Sequence, residues 1–296
     1  MKSGFVSLLG RPNAGKSTLL NRLVGTKVAI VADKPQTTRE VIQGVVTRPE
    51  AQIVFLDSPG IHEPRSNLNR RMMREVRSAL DARDLLVLLV DATASYGAGD
   101  EQAVGLIRSA RTPALVAFNK IDSLERKDPL LGLIDRYRNL FAFEEYLPIS
   151  ARTGEGIDLL EAAVLARLPE GPQYFPPDHI TDQPLRRLAS ELVREQVIRQ
   201  TRQEIPYSAA VAIDLFEEGE RLFRIAATIY VERDSQKGII IGSGGERLKQ
   251  IGTLARKEME GLFGRQVFLQ LHVKVRAEWR QSDSFLNALD WRRQSL

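Results

Sequence analysis

Gly10-Arg11-Pro12-Asn13-Ala14-Gly15-Lys16-Ser17-Thr18 fits the pattern G-x-x-x-x-G-K-[ST] at every position. The apolar run Phe5-Val6-Ser7-Leu8-Leu9 before it reads as a buried strand, and Ser17 to Val24 after it has helical periodicity. Strand, glycine-rich loop and helix in that order make a phosphate cradle. Glycines let the backbone curl so that successive N–H groups point at phosphate oxygens, and the new helix adds the positive end of its dipole. Lys16 supplies a charge that the β- and γ-phosphates share, and Ser17 offers a hydroxyl to Mg²⁺.

Outward from the cradle, Thr26 to Glu40 reads as a polar loop holding Gln36-Thr37-Thr38-Arg39. Strands are expected at about 41–47 and 52–56, the second ending in Asp57-Ser58-Pro59-Gly60. An aspartate at the carboxyl edge of a strand suits a Mg²⁺-side carboxylate. The glycine three residues on suits a backbone N–H near the γ-phosphate, although D-x-x-G alone is a common turn. Residues 84–91 and 113–118 are continuous apolar runs, as strands covered on both faces must be. Helical stretches near 67–82, 99–110, 129–142 and 156–167 alternate with them. The alternation predicts an α/β fold, a doubly wound and mostly parallel sheet with ligands at the carboxyl ends of its strands.

After the second apolar run comes Asn119-Lys120-Ile121-Asp122, and after a shorter strand Ser150-Ala151-Arg152. An aspartate carboxylate accepts two hydrogen bonds from N1–H and the exocyclic amine of guanine, a pair that adenine does not present. Asparagine can bond N7 and brace the neighbouring loops, and the Ala151 N–H can contact O6. Polar groups left unpaired by adenine would penalise ATP by about several kcal/mol.

With the phosphate loop, D-x-x-G and N-K-x-D in this order, residues 4–168 resemble a translation-factor-class GTPase domain, a P-loop fold. The resemblance implies GTP or GDP with Mg²⁺: Lys16 and the loop amides on the phosphates, Ser17 and Thr38 on the metal, Asp57 through water, and Asn119 and Asp122 on the base. Thr37, adjacent to Thr38, competes for the metal. Lys16, Asn13, Thr38 and Gly60 are the expected catalytic set. Ile61 stands where a Ras-type enzyme has the glutamine that orients the attacking water, and a branched alkyl group cannot bond to water. Intrinsic turnover should therefore be slow. In related bacterial GTPases with this hydrophobic substitution, an asparagine matching Asn13 helps bind K⁺, which predicts K⁺-stimulated hydrolysis here.

Composition bounds the rest. The 296 residues are 43% hydrophobic and 27% charged, an ordinary globular composition with room for two domains. The absence of cysteine removes disulfides, thiolate metal sites and thiol catalysis, and His62, His179 and His272 are too far apart in sequence to suggest zinc. No apolar run approaches the roughly 18 residues of a membrane span, so a cytoplasmic protein is expected. The net charge of +4 divides evenly between the two halves and does not by itself argue for nucleic acid.

Leu168 to Pro177 carries four prolines and ends the αβ pattern. The expected organisation is a nucleotide domain over 1–170, a linker over 171–182, a second domain over 183–281 and a tail over 282–296. Pro184 to Arg202 is amphipathic, Ala209–Phe216 and Phe223–Val231 read as a hairpin, and Val267–Val275 as a third strand. Between hairpin and third strand lies Ile239-Ile240-Ile241-Gly242-Ser243-Gly244-Gly245-Glu246-Arg247-Leu248-Lys249. An apolar run, G-x-x-G and a helix resemble a KH domain, an α+β module that clamps about four nucleotides of a single strand by their backbone. The element order resembles the type II form. Ser243-Gly244 lacks the basic residue often found between the glycines, so backbone N–H groups, Arg247, Lys249 and Lys237 are the expected phosphate partners. Residues 237–276 hold 8 basic and 3 acidic side chains, against 3 and 7 in 203–236, so one side of the module is positive. The tail, with Phe285, Leu286, Leu289 and Trp291, is expected to be a docking helix.

A GTPase domain, a proline-rich linker including Tyr174 to Asp182, and a type II KH domain together resemble the Era family of bacterial GTPases. That resemblance implies a ribosome-assembly factor that binds small-subunit (16S) ribosomal RNA near its 3′ end and times its release by GTP state. A peripheral inner-membrane association is implied by resemblance only. A constitutive RNA-binding scaffold with a structural nucleotide is the alternative. An RNA-modifying enzyme is disfavoured, because 183–296 offers no cysteine, metal cluster or cofactor loop.

Overall fold

A computed structural model describes residues 1–61, 66–81, 83–126, 128–202 and 205–290. The chain divides into two compact units, and residues 30–37 and 66–70 group with the carboxy-terminal one.

The first unit contains β1 (Lys2–Gly10), α1 (Lys16–Val24), β2 (Ile42–Arg48) and β3 (Ala51–Asp57). After α2 (Asn67–Leu80) follow β4 (Leu85–Asp91), α3 (Ala98–Ala110), β5 (Ala114–Asn119), α4 (Asp128–Leu140), β6 (Tyr146–Pro148) and α5 (Ile157–Arg167). Strand order is β2-β3-β1-β4-β5-β6, with only β2 antiparallel to its neighbour. The continuous apolar runs exist because alternate side chains enter different layers. Leu85, Val87 and Leu89 of β4 join Leu19, Leu20 and Leu160 on one face. Leu86, Leu88 and Val90 join Val76, Ile107 and Phe118 on the other. Each fully buried leucine or valine contributes about 1.5–3 kcal/mol by leaving water. Residues of the proline-rich stretch run beside β2 and β3: Val45 N donates to the Ile180 carbonyl at 2.8 Å, and Gln52 Oε1 accepts from Tyr174 N and Phe175 N at 2.8 and 2.9 Å.

The second unit has α6 (Leu185–Gln200), α7 (Ile205–Ser208), β7 (Ala210–Glu218), β8 (Leu222–Val231), α8 (Asp234–Ile241), α9 (Glu246–Phe263), β9 (Gln266–Val275) and α10 (Asp283–Leu289). Its sheet runs β7-β8-β9, antiparallel then parallel. A parallel neighbour needs a crossover, which α8 and α9 supply. Phe223, Ile225, Ala227, Ile229 and Val231 alternate along β8 and bury one sheet face against Leu192, Val197, Ile251 and Met259. The run Ile239–Ile241 is the last turn of a helix, so one helix more than the hairpin-and-helix reading stands before the glycines. Ile30 is 1% exposed in this same core. Beside it, Val31 N donates to Glu195 Oε1 at 3.1 Å, and the buried Arg194 donates to the Thr37 carbonyl and pairs with Glu191.

The described part of the tail folds as α10, which buries Phe285 and Leu286, with Phe285 edge-on to Tyr230 at 4.9 Å and to Trp279 at 6.1 Å. Trp291 lies outside the described residues. Among those residues no helix is long and apolar enough to cross a membrane.

Candidate nucleotide and RNA sites

The phosphate loop leaves β1 at Gly10 and enters α1 at Lys16. Gly15 has φ 98°, and a Cβ there would lie 2.1 Å from Asn119 Nδ2, so both backbone conformation and proximity demand glycine. Lys16 is 6% exposed and its Nζ donates to the Gly10 and Arg11 carbonyls at 3.1 and 3.0 Å. Burial pushes the Lys16 ammonium down to about 8, opposed by the Asp57 carboxylate. Burial in turn raises Asp57, opposed by Lys16, Ser17 and Thr38. Asn13 is exposed with φ 64° on the outer limb of the loop, and Thr18 is half-buried in the first turn of α1.

Three oxygens converge at the start of α1. Ser17 Oγ donates to Asp57 Oδ2 at 2.6 Å, Thr38 Oγ1 donates to the same oxygen at 3.2 Å, and the two hydroxyls are 2.7 Å apart. Asp57 is fully buried and its Oδ1 has no hydrogen-bond partner. An orphaned carboxylate oxygen beside two hydroxyls is a hard-oxygen donor set that fits Mg²⁺. Thr38, rather than Thr37, joins this cluster, because the Thr37 hydroxyl donates to the Lys34 carbonyl at 2.7 Å.

Ser58 Oγ donates to the Leu8 carbonyl at 2.8 Å, fixing the turn into Pro59-Gly60, and Gly60 packs against Pro12. Ile61 donates its N–H to the Gly10 carbonyl at 3.2 Å and buries its side chain to 1% exposure among Leu9, Met73 and Val76. Its alkyl group is thus core, and water positioning must come from another group.

At the carboxyl ends of β5 and β6 the residues expected from the sequence to read the base meet. Asn119 Nδ2 donates to the Ala14 carbonyl at 2.8 Å, and Asn119 Oδ1 accepts from Ala151 N at 2.9 Å. Asp122 accepts from Ser150 Oγ at 2.6 Å, from Ser123 Oγ at 3.2 Å, and from Arg152. The Ser150 bond, followed by the Arg152 charge, holds the Asp122 carboxyl below the usual range despite some desolvation. Lys120 pairs with Asp91 at 2.6 Å.

Arg22, which no motif marks, donates from Nε to the Ala151 carbonyl at 3.3 Å and also to the Arg152 carbonyl, bracing the loop from α1. Asp91 and Arg22 carry no local signal, since their partners are distant in sequence.

In the second unit Gly242 has φ 73°, and a Cβ there would lie 2.8 Å from Arg247 Cβ. Ser243, Gly244 and Gly245 form a tight turn into α9. Arg247 donates to the Ile239 carbonyl, Lys237 and Ile241 are half-buried on α8, and Lys249 is exposed on α9. Lys249, Gly252, Thr253, Arg256, Leu269 and Leu271 line a groove of about 510 Å³ between α9 and β9. Apolar walls with cations on one rim suit a single strand, bases inward and phosphates outward. Sequence reasoning missed Thr253 and Arg256, although their i, i+4, i+7 spacing from Lys249 puts them on one helix face.

Two family models match the chain, residues 5–120 the one described as 50S ribosome-binding GTPase and residues 204–280 the one described as KH domain. GTPase Era of Geobacter metallireducens is 49% identical over 98% of both chains. GTPase Era of Staphylococcus haemolyticus is 45% identical over 98% of this chain and 97% of that one. The crystal structure of a single-residue variant of Aquifex aeolicus Era bound to GDP·AlF4⁻ superposes with a TM-score of 0.94 at 42% identity, covering 98% of this chain and 99% of the other. A crystal structure of Era in complex with MgGDPNP and nucleotides 1506–1542 of 16S ribosomal RNA also has a TM-score of 0.94 at 42% identity, covering 98% of each chain. Similarity of this degree along almost the whole length means that the chain belongs to the GTPase Era family.

Proposed function

We propose that this GTPase binds small-subunit (16S) ribosomal RNA near its 3′ end during subunit assembly, and that the bound nucleotide sets its affinity for that RNA. The observation that carries the reading is one chain holding two sites: the Ser17, Thr38 and Asp57 oxygen cluster with Asn119 and Asp122, and the cation-rimmed α9–β9 groove beside the glycine turn. In this reading residues 1–170 bind GTP or GDP with Mg²⁺. Residues 10–18 hold the phosphates, Ser17 and Thr38 ligate the metal, Asp57 holds a metal-bound water, and Gly60 N–H meets the γ-phosphate. Asn119, Asp122 and the 150–152 loop read guanine, with Lys120 beside them. Residues 171–182 form the linker and 282–296 the tail. Residues 183–281 hold the RNA strand, with Lys237, Arg247, Lys249 and the turn 242–245 on its phosphates and Ile241 at the apolar wall. Work on ribosomal subunits makes the cytoplasm its site of action.

Linkage makes the effect reciprocal: if GTP changes RNA affinity by some factor, RNA changes GTP affinity by the same factor. The test is titration of a 16S fragment covering nucleotides 1506–1542 against the GTP-analogue, GDP and empty forms. Distinct dissociation constants are expected, and one shared constant would sink the coupling.

The enzyme is slow by itself and accelerated by K⁺, with Asn13 as a K⁺ ligand. Support comes from the burial of Ile61, which leaves no side chain at that position to orient water, and from the exposed position of Asn13 on the outer limb of the loop. Turnover in KCl should exceed turnover in NaCl, and Asn13→Ala should abolish the difference. Equal rates in the two salts would refute the assignment.

A further inference from the structure

The second residue of the phosphate loop has a role that none of the motifs requires. The Arg11 guanidinium turns away from the phosphate cradle and reaches the start of α3, donating to Asp100 Oδ2 at 2.8 Å and to the Ser95 carbonyl at 3.0 Å. Asp100 is 5% exposed, and its Oδ2 also accepts from Gly97 N at 2.9 Å, capping α3. Beneath lies the fully buried Tyr137 hydroxyl, raised by burial and then by the Asp100 carboxylate. A carboxylate this desolvated needs its cation, so the pair resists opening. At its backbone, Arg11 offers the carbonyl that accepts from Lys16 Nζ at 3.0 Å and from Ala14 N at 3.3 Å. The side chain thus anchors to α3 the limb whose backbone meets the Lys16 ammonium and continues into Asn13.

We propose that Arg11 and Asp100 are positioning residues for GTP hydrolysis: their ion pair clamps the outer limb of the phosphate loop in its working shape. The Arg11 side chain touches no phosphate in this role and is not an arginine finger, since its guanidinium is committed to Ser95 and Asp100. Its effect falls on the transition state, where small displacements of charged groups are most costly. Binding of GDP draws on many loop amides at once and tolerates such displacement.

Asp100→Asn isolates the clamp, because an amide oxygen still caps α3 while the charge facing Arg11 is gone. Full-length Asp100→Asn and Arg11→Gln should each lower kcat by about tenfold, while KM for GTP and the dissociation constant for GDP change by less than about threefold. Arg11→Lys, which keeps the positive charge on a shorter side chain while both bonds of the native residue come from the one Nη1 nitrogen, should recover part of the loss. In a double-mutant cycle the combined variant should be no slower than either single one. The proposal is overturned by unchanged kcat in both variants, by losses that multiply in the double variant, or by a fall in GDP affinity as large as the fall in kcat. Thermal unfolding midpoints measured alongside separate misfolding from loss of the clamp: Arg11→Lys folded as wild type yet as slow as Arg11→Gln would also count against it.

Discussion

Asn119 donates from Nδ2 to the backbone carbonyl of Ala14 at 2.8 Å, tying the end of β5 to the phosphate loop. Its Oδ1 accepts from Ala151 N, so one side chain that is 2% exposed joins three loops. Replacing it by alanine leaves a buried N–H and a buried carbonyl unsatisfied, each costing about 1–3 kcal/mol. Asn119→Ala should therefore weaken GDP binding by at least about 30-fold. Fluorescent-nucleotide titration measures this, and affinity within about threefold of wild type would contradict the bracing role.

In the proposed guanine site Asp122 would offer the base a carboxylate that only accepts. In Asp122→Asn one acceptor becomes a donor, which opposes an amine of guanine but matches a carbonyl at the same place in xanthine. The loss for GTP should be about 3 kcal/mol, near 100-fold, with XTP binding more tightly than GTP. Competition between GTP and XTP for the variant decides it, and retained preference for GTP would refute Asp122 as the reader of the exocyclic amine.

Asp57 Oδ2 holds both hydroxyls proposed to ligate the metal, Ser17 Oγ at 2.6 Å and Thr38 Oγ1 at 3.2 Å. Asp57→Asn keeps the shape and removes the charge that would orient a metal-bound water. Loss of such an outer partner typically costs about 10–100-fold in metal affinity. The Mg²⁺ concentration for half-maximal GTP hydrolysis should rise by that factor, and an unchanged Mg²⁺ midpoint would remove Asp57 from the metal's surroundings.

Asp91 carries an acid-stability prediction. Burial pushes its carboxyl up, but the Lys120 and Thr93 hydrogen bonds together outweigh it and hold the group below its ordinary value. A carboxyl depressed on folding stabilises the folded state above its unfolded value of about 3.9, and that stabilisation is lost as pH falls through the lower folded value. The stability difference between wild type and Asp91→Asn should therefore be constant from about pH 5 to pH 7 and shrink below about pH 4. Urea unfolding midpoints across this range measure it, and a difference independent of pH would exclude the linkage.

The phosphate loop, D-x-x-G and N-K-x-D could be read along the chain because each is a local device. A glycine at positive φ, an apolar strand and a helix start lie within ten residues, and backbone sterics and periodicity act at that range. The sheet was legible for the same reason, since β4 and β5 are apolar on both faces only if both faces are covered.

Side-chain partnerships across the fold were a different matter. Thr37 and Thr38 are identical in type, and only the path of the backbone turns the Thr37 hydroxyl toward Lys34 and the Thr38 hydroxyl toward Asp57. Arg11 with Asp100, Lys120 with Asp91 and Arg22 with Ala151 join residues that meet only once the sheet order β3-β1-β4-β5-β6 is laid down. Ile30, within the segment 26–40 that reads as a polar loop, is core of the carboxy-terminal unit. Local order along a chain dictates which motifs form, because bonded geometry and period extend only a few residues. Which motif's side chains touch depends on packing between distant strands, and that packing exists only in three dimensions.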